Sequence, residues 1–303
     1  MNPDWLKLDF KFPRRKFHVW QVLIGIFLII SFGIWTYYTK GTHGLLKITV
    51  FDVGQGDAIF VRTPSDLQIL IDGGPDNTII QKLSQELPFW DRNIDLIILT
   101  HPHADHLRGL LKVIERYRID QIMITDFEYD SSEFAVWQNF LEEYEGNLIY
   151  AKKGQSIETE NELKLEILYP DIKFADNPTE NPNNTSIILK IEYGKFSMLF
   201  TGDAECEEQE KLLSQDLDIE VLKVPHQGAK DAGCEDFLKA TSPAIAVISV
   251  GADNQFGHPH REHLELLTEL IPDKKGQEIF RTDQDGDVRI FSDKQIYWIK
   301  TEK

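Results

Sequence analysis

The chain has 303 residues, 42% of them hydrophobic, with 50 Asp or Glu against 32 Lys or Arg and a formal net charge of −18. That size and balance suit one large folded domain. The acidic excess excludes long-range electrostatic capture of a nucleic-acid duplex, which needs clustered cations to neutralise phosphates.

Residues 1–16 read as a cytoplasmic segment that holds Arg14, Arg15 and Lys16. Residues 17–39 are a charge-free run between Lys16 and Lys40. As a helix this run spans about 34 Å, enough for a hydrocarbon layer of roughly 30 Å. Trp20 at one end and Trp35, Tyr37 and Tyr38 at the other fit interfacial aromatic belts. A cleavable signal peptide fits less well, because the apolar core is long and its exit carries bulky aromatics where a small-residue cleavage site is needed. Three cations before the run outweigh Lys40 and Lys47 after it. The amino end is therefore expected in the cytoplasm and the domain 45–303 outside, at the cell membrane.

Beyond the anchor, residues 47–53 and 58–63 read as strands about the tight Gly54-Gln55-Gly56-Asp57 turn, and 67–71 as a third ending at Asp72-Gly73-Gly74. Helices are expected over 78–86, 106–118 and 132–144. Strands over 163–168, 186–192, 196–200, 219–224 and 244–250 follow, with helices over 205–213, 235–240 and 262–271 between them. The proline-broken stretch 171–182 is either a lid or a long connection. Asp283-Gln284-Asp285-Gly286-Asp287 has the look of a calcium loop, but its glycine comes two places early and the twelfth position is Lys294. It reads as a hairpin turn. The cationic pairs Lys152-Lys153 and Lys274-Lys275 read as solvated turns. Cys206 and Cys234 are expected as buried free thiols, since a domain of this size needs no staple. Strand-rich halves with helices outside predict an α/β fold, a four-layer αββα sandwich with its chemistry at one rim.

The chemistry is concentrated in His101-Pro102-His103-Ala104-Asp105-His106, just past the apolar run 94–99. Imidazole nitrogen and carboxylate oxygen are ligands for a zinc-type divalent ion, and the two-residue spacing of His101 and His103 points both rings to one side of an extended chain. Asp105 and His106, just beyond, are placed to face a second ion roughly 3.5–4 Å away. Asp203, at the strand end Thr201-Gly202-Asp203, is placed to bridge both ions. His226 ends the next strand in Pro225-His226-Gln227-Gly228, and Gly257-His258-Pro259-His260 presents two more imidazoles. Open α/β sheets place their chemistry beyond the carboxyl ends of strands. A closed structural zinc site is the alternative, but such sites favour cysteine and this loop has none. Asp72 is expected to support a ligand histidine or its backbone turn. Gly54-Gln55-Gly56 is not a nucleotide loop, since neither a third glycine nor a helix follows.

The pattern of His101, His103, Asp105 and His106, with Asp203 and His226, resembles the metallo-β-lactamase superfamily. Phe51-Asp52-Val53-Gly54-Gln55-Gly56-Asp57-Ala58, Ile71-Asp72-Gly73-Gly74, Asn183-Asn184-Thr185-Ser186 and Ser249-Val250-Gly251-Ala252-Asp253-Asn254 with the histidine loop after it narrow the likeness. Together they resemble the C-terminal hydrolase-like domain of ComEC-type competence proteins, over about 45–298. The resemblance implies the metallo-β-lactamase fold, one or two divalent ions with zinc as default and manganese accepted, and a phosphodiester substrate, DNA among them. It places Asn184 where better-known members have a third histidine on the first ion, and Gln227 where this branch has a neighbouring histidine. A neutral amide is a weak ligand, so the ion at His101 and His103 is expected to bind less tightly than that at Asp105, His106 and His226. Asn184 and Asn254 are assigned to substrate contact or outer support of the site. The many-helix channel region of ComEC proteins is not in this sequence, so DNA uptake is not carried over and no channel partner is identified.

The expected reaction is hydrolysis by a metal-bound hydroxide. Asp105 and Asp203 accept hydrogen bonds from it, and His258 protonates the leaving group or grips a phosphoryl oxygen. His260 reads as a surface residue. Two other readings stay open: hydrolysis of an amide, thioester or lactone, and a catalytically idle module that keeps its metals for stability.

Overall fold

The computed structural model describes residues 19–40, 44–176, 179–230, 232–271 and 278–303, with side chains of the first segment described for 19–35. Contacts divide the chain into two units, Met1–His43 and Gly44–Lys303. The first contains helix α1 (Val19–Lys40), uninterrupted by proline or charge until its last residue. Trp20, Phe27 and Ile29 on this helix are exposed. Residues 17 and 18 of the expected membrane span lie outside the described residues, and among those described no helix is long and apolar enough to cross a membrane.

The second unit begins with β1 (Leu46–Val50), β2 (Ile59–Arg62), β3 (Gln68–Ile71), α2 (Thr78–Glu86), β4 (Asn93–Ile98), α3 (Ala104–Ile114), β5 (Arg118–Ile124), α4 (Ser132–Glu143) and β6 (Asn147–Tyr150). It continues through β7 (Ser156–Glu158), β8 (Leu163–Tyr169), β9 (Ile188–Tyr193), β10 (Phe196–Phe200), α5 (Cys206–Glu210), β11 (Val221–Lys223), α6 (Glu235–Thr241) and β12 (Ile245–Ile248). Then come α7 (Arg261–Leu270), β13 (Glu278–Arg281), the single turn α8 (Thr282–Asp285), β14 (Val288–Ser292) and β15 (Tyr297–Thr301).

Among the described residues these strands form two sheets, ordered β15-β14-β1-β2-β3-β4-β5-β6 and β13-β12-β11-β10-β9-β8-β7. Strands β3 to β6 run parallel, as do β10 to β13. Parallel neighbours need crossovers, which the helices supply in most cases. A strand buried on both faces must be apolar at successive positions. Leu96 and Ile98 accordingly pack into the core between the sheets, while Ile97 and Leu99 pack against the helices outside. Helices α2, α3 and α4 cover the first sheet through Ile79, Leu83, Leu107, Leu110, Phe134 and Trp137. Phe237, Leu238 and Leu267 of α6 and α7 cover the second. Each such fully buried side chain contributes about 1.5–3 kcal/mol. The result is a four-layer αββα sandwich.

Three expectations are corrected. The segment 283–287 is not a hairpin turn: β13 belongs to one sheet and β14 to the other, so α8 carries the chain across between them. Cys206 and Cys234 are joined in a disulfide rather than free. Domain size alone gave no reason for the bridge, but the fold brings their Cα atoms to 5.3 Å, within bridging range. The helix expected to Arg118 stops at Ile114, because Arg118 opens β5, whose interspersed polar residues hide its alternation. Within the proline-broken stretch, Phe174 is buried and its N–H donates to Asp126 Oδ1 at 2.8 Å; residues 177 and 178 lie outside the described part, as do Lys274 and Lys275.

Candidate metal centre

Strand β4 runs directly into Leu99-Thr100-His101. His103 is the N-cap of α3, so Asp105 and His106 fall in its first turn, where the helix dipole favours a carboxylate. The helix is drawn tightly onto the Gly73-Gly74 turn: Gly73 N–H donates to His106 O at 2.8 Å and Gly109 N–H to Gly74 O at 3.0 Å. A Cβ on Gly109 would stand 1.8 Å from Gly73 O, so only glycine permits the approach. Asp203 follows β10, its N–H donating to Ser186 Oγ at 3.1 Å. After β11, His226 and Gln227 both hold left-handed backbone, with φ 44° and 53°. Asp72 does the same at φ 58°. Such a backbone costs a non-glycine residue about 1–2 kcal/mol, and strain of this kind clusters at functional sites.

The turns bring His101, His103, Asp105, His106, Asp203 and His226 together. His106 Nε2 lies 3.3 Å from Asp203 Oδ1 and 3.8 Å from Asp105 Oδ2. His101 Nε2 and His226 Nε2 lie 3.9 and 3.7 Å from Asp203 Oδ2. The His103 ring is 4.8 Å from that of His101, centroid to centroid. His101, His106 and Asp203 are 1%, 0% and 1% exposed. One ligand atom from each of these three lies within 4.8 Å of the others. Among the described residues, His101 Nε2, His106 Nε2 and Asp203 Oδ1 make no hydrogen bond of good geometry, though His106 Nε2 and Asp203 Oδ1 are ion-paired. A buried polar atom left unpaired costs about 1–3 kcal/mol, and such atoms demand an explanation. A divalent cation among them satisfies all three, and a nitrogen–carboxylate set without thiolate suits zinc or manganese.

At His101 and His103 the electrostatics favour the ligating form. Burial holds the His101 imidazole well below the ordinary histidine range, and neighbouring His106 pushes the same way. His103 is lowered for the same two reasons. Neutral imidazoles are the form that ligates. For His106 burial acts downward too, but the carboxylates of Asp203, Asp72 and Asp105 together outweigh it and hold the ring well above its ordinary value. Burial of Asp203 is likewise outweighed, chiefly by His106, and its carboxyl sits far below the usual range.

Behind the cluster lies a layer of support. Asp72 Oδ2 accepts from His106 Nδ1 at 2.8 Å and from Thr100 Oγ1 at 2.7 Å, while Oδ1 accepts from Thr100 N–H at 2.8 Å. The fully buried Lys223 ammonium is 2.7 Å from Asp57 Oδ2 and donates to Val224 O at 3.0 Å. Burial raises the Asp57 carboxyl against the pull of Lys223. Gln209 donates to Ala204 O and Ala232 O at 2.7 and 3.1 Å. With the disulfide, it ties the loop after Asp203 to the loop after His226.

His258 is carried to the same rim, its ring 5.7 Å from that of His226 and its Nδ1 3.2 Å from Gln55 Nε2. The Asn254 amide is used in shaping that loop: Nδ2 donates to Gly251 O at 3.0 Å and His258 O at 2.6 Å, and Oδ1 accepts from His258 N–H at 2.9 Å. His260 is the N-cap of α7 and is 5.6 Å ring to ring from His258. Asn184 lines a hollow with Tyr169, Glu208 and Lys211, and its buried Oδ1 has no hydrogen-bond partner among the described residues. Sequence reasoning passed over Gln55, Gln209 and Lys223 as participants, and met Gln227 only as a departure from the branch's histidine. Gln55 was visible only as part of a turn, and Lys223 only as one cation in an apolar strand.

The sequence profile of the Metallo-beta-lactamase superfamily matches residues 51–252. The chain is 27% identical over 296 residues to ComE operon protein 3 of Bacillus subtilis (strain 168), covering 91% of this chain and 36% of that protein. It is 26% identical over 249 residues to competence protein ComA of Neisseria gonorrhoeae, covering 79% and 31%. The chain thus spans about a third of the length of these relatives. Among solved structures, the metallo-beta-lactamase fold protein YhfI of Bacillus subtilis aligns with a TM-score of 0.53 at 14% identity, over 84% of this chain and 99% of that one. CmlA, a diiron beta-hydroxylase from Streptomyces venezuelae, aligns at 0.51 and 15%, over 78% and 52%. Those two likenesses concern the fold. The profile match encloses all six clustered ligand candidates, and the chain belongs to the metallo-beta-lactamase superfamily.

Proposed function

We propose that this protein is a membrane-anchored phosphodiester hydrolase that works with a divalent cation held by His101, His106 and Asp203 and rimmed by His103, Asp105 and His226. The superfamily consists generally of metal-dependent hydrolases. The observation that carries the reading is the trio of buried ligand atoms on His101, His106 and Asp203, clustered within 4.8 Å and making no well-formed hydrogen bond among the described residues. When bound, a cation there supplies a Lewis acid that acidifies water and draws charge from the electrophile's oxygens.

The chain's own groups do the rest. Asp72 takes the Nδ1 proton of His106 in a hydrogen bond, which leaves Nε2 free to ligate. Asp105, half-buried at the open side, accepts a hydrogen bond from the attacking water. His258, set in place by Gln55 and Asn254, donates a proton to the departing oxygen, a task suited to imidazole near neutral pH. The choice of a phosphodiester as the bond cleaved follows from the resemblance to the hydrolase-like domain of ComEC-type competence proteins. The similarity to ComE operon protein 3 and competence protein ComA is consistent with that resemblance. A net charge of −18 confines recognition to the cation and the groups beside it, rather than a broad basic surface.

Anchoring rests on the apolar run 17–39. The cations at 14–16 set the amino end in the cytoplasm, and the Cys206–Cys234 disulfide favours an oxidising compartment for the domain. The test is turnover of bis(p-nitrophenyl) phosphate by purified protein stripped with chelator and reloaded with zinc or manganese. Activity restored by metal and reduced about 10²-fold or more in Asp203→Ala supports the proposal. Metal-dependent melting with no phosphodiester turnover overturns it.

A further inference from the structure

Gln227 is 2% exposed and reaches into the middle of the ligand cluster, although an amide nitrogen cannot ligate a cation. Its Nε2 lies 3.2 Å from Asp105 Oδ2 and 3.3 Å from Asp203 Oδ2. Its Oε1 accepts from Gln55 Nε2. The backbone fixes these orientations from both ends. Gly251 N–H donates to Gln55 Oε1 at 3.2 Å, which turns the Gln55 nitrogen toward Gln227 and His258. Gln227 must then present oxygen to Gln55 and nitrogen to the two carboxylates, which only accept. The opposite flip would face oxygen against two carboxylate oxygens and one amide nitrogen against another.

We infer that the Gln227 amide takes the place of a second cation, so that this chain's centre is built for one ion. The inference rests on the metal-dependent reading of the same site. His101, His106 and Asp203 supply one ion's ligands within 4.8 Å of one another, and among the described residues Asp105 belongs to no such group. An ion between Asp105 and Asp203 would need the two oxygens that receive the Gln227 N–H groups. To admit it, the Gln227 amide must leave both carboxylates, and that amide also holds Gln55, the residue that braces His258. The amide thus satisfies the two carboxylates without adding charge, and it links them through Gln55 to the proposed proton donor.

The experiment counts ions. Full-length protein is stripped with chelator, loaded with excess zinc, desalted, and its zinc per chain measured by mass spectrometry, beside the variant Gln227→Glu. Glutamate keeps the shape, removes both N–H donors and offers a ligand oxygen. The inference predicts one zinc per wild-type chain and two per Gln227→Glu chain. Two zinc ions in the wild type overturn it and leave the hydrolase reading standing, and this arm does not depend on the variant folding. A single zinc in a folded Gln227→Glu protein also overturns it. No retained zinc in the wild type overturns the metal-dependent reading and this inference together.

Discussion

Asparagine at position 72 would retune the centre without touching a ligand. Asp72 accepts three hydrogen bonds, from Thr100 N–H at 2.8 Å, Thr100 Oγ1 at 2.7 Å and His106 Nδ1 at 2.8 Å. In Asp72→Asn the remaining oxygen still takes the Thr100 N–H, and the new amide nitrogen faces Thr100 Oγ1 and His106 Nδ1. The hydroxyl rotates to accept. A ring nitrogen accepts only when unprotonated, so His106 adopts the tautomer with its hydrogen on Nε2, pointed at the cation's place. Removing such a partner costs about 10- to 100-fold in metal affinity, or roughly 1.4–2.7 kcal/mol. The fold loses less, about 1 kcal/mol, because the bonds remain in number: one keeps a now neutral acceptor and two reverse direction. Zinc affinity is read by competition with a chromophoric chelator and stability by urea unfolding. Wild-type zinc affinity in a folded Asp72→Asn protein would refute the reasoning.

His263 in α7 is buried, and burial pushes its pKa down to about 4. The unfolded chain takes up that proton near pH 6.5 and the folded chain not until about 4, so stability falls as pH drops through this window, by about 2 kcal/mol between pH 7.5 and 5. His263→Leu is expected to lose that share of the pH dependence in urea unfolding, and an unchanged dependence contradicts it. Lys223→Met strands the buried Asp57 carboxylate and is expected to cost about 3–5 kcal/mol, with much of the loss recovered by adding Asp57→Asn. Failure of the double variant to recover would remove the charge-pairing account. Cys206→Ser opens a loop with a sequence separation of 28 residues, expected to cost about 3–4 kcal/mol in thermal unfolding, with reductant acting equally on the wild type. An unaltered midpoint would contradict that estimate.

The architecture was legible where burial on both faces forces runs such as Ile97-Ile98-Leu99, and where glycine turns mark strand ends. It was obscure at β5, whose Asp120 and Gln121 interrupt the apolar run, and at the sheet edges, where no residue of β6, β7 or β15 is buried. The ligand types announced themselves by chemistry: imidazoles at spacing two on a loop after an apolar strand have few other uses. Gln55 announced nothing and Gln227 only a missing histidine, because an amide carries no fixed preference for a site. Their roles depend on where Gly251 N–H and two carboxylates lie, and that is set by loops nearly 200 residues apart in sequence. The disulfide was hidden for the same reason, since only the packing of α5 beside α6 brings its halves together.

The most direct test of the central claim is anomalous diffraction from crystals of zinc-loaded protein, recorded on both sides of the zinc absorption edge. The account predicts a peak about 2.0–2.2 Å from His101 Nε2, His106 Nε2 and an Asp203 carboxylate oxygen. Zinc bound elsewhere, with no peak among those three atoms, would contradict it.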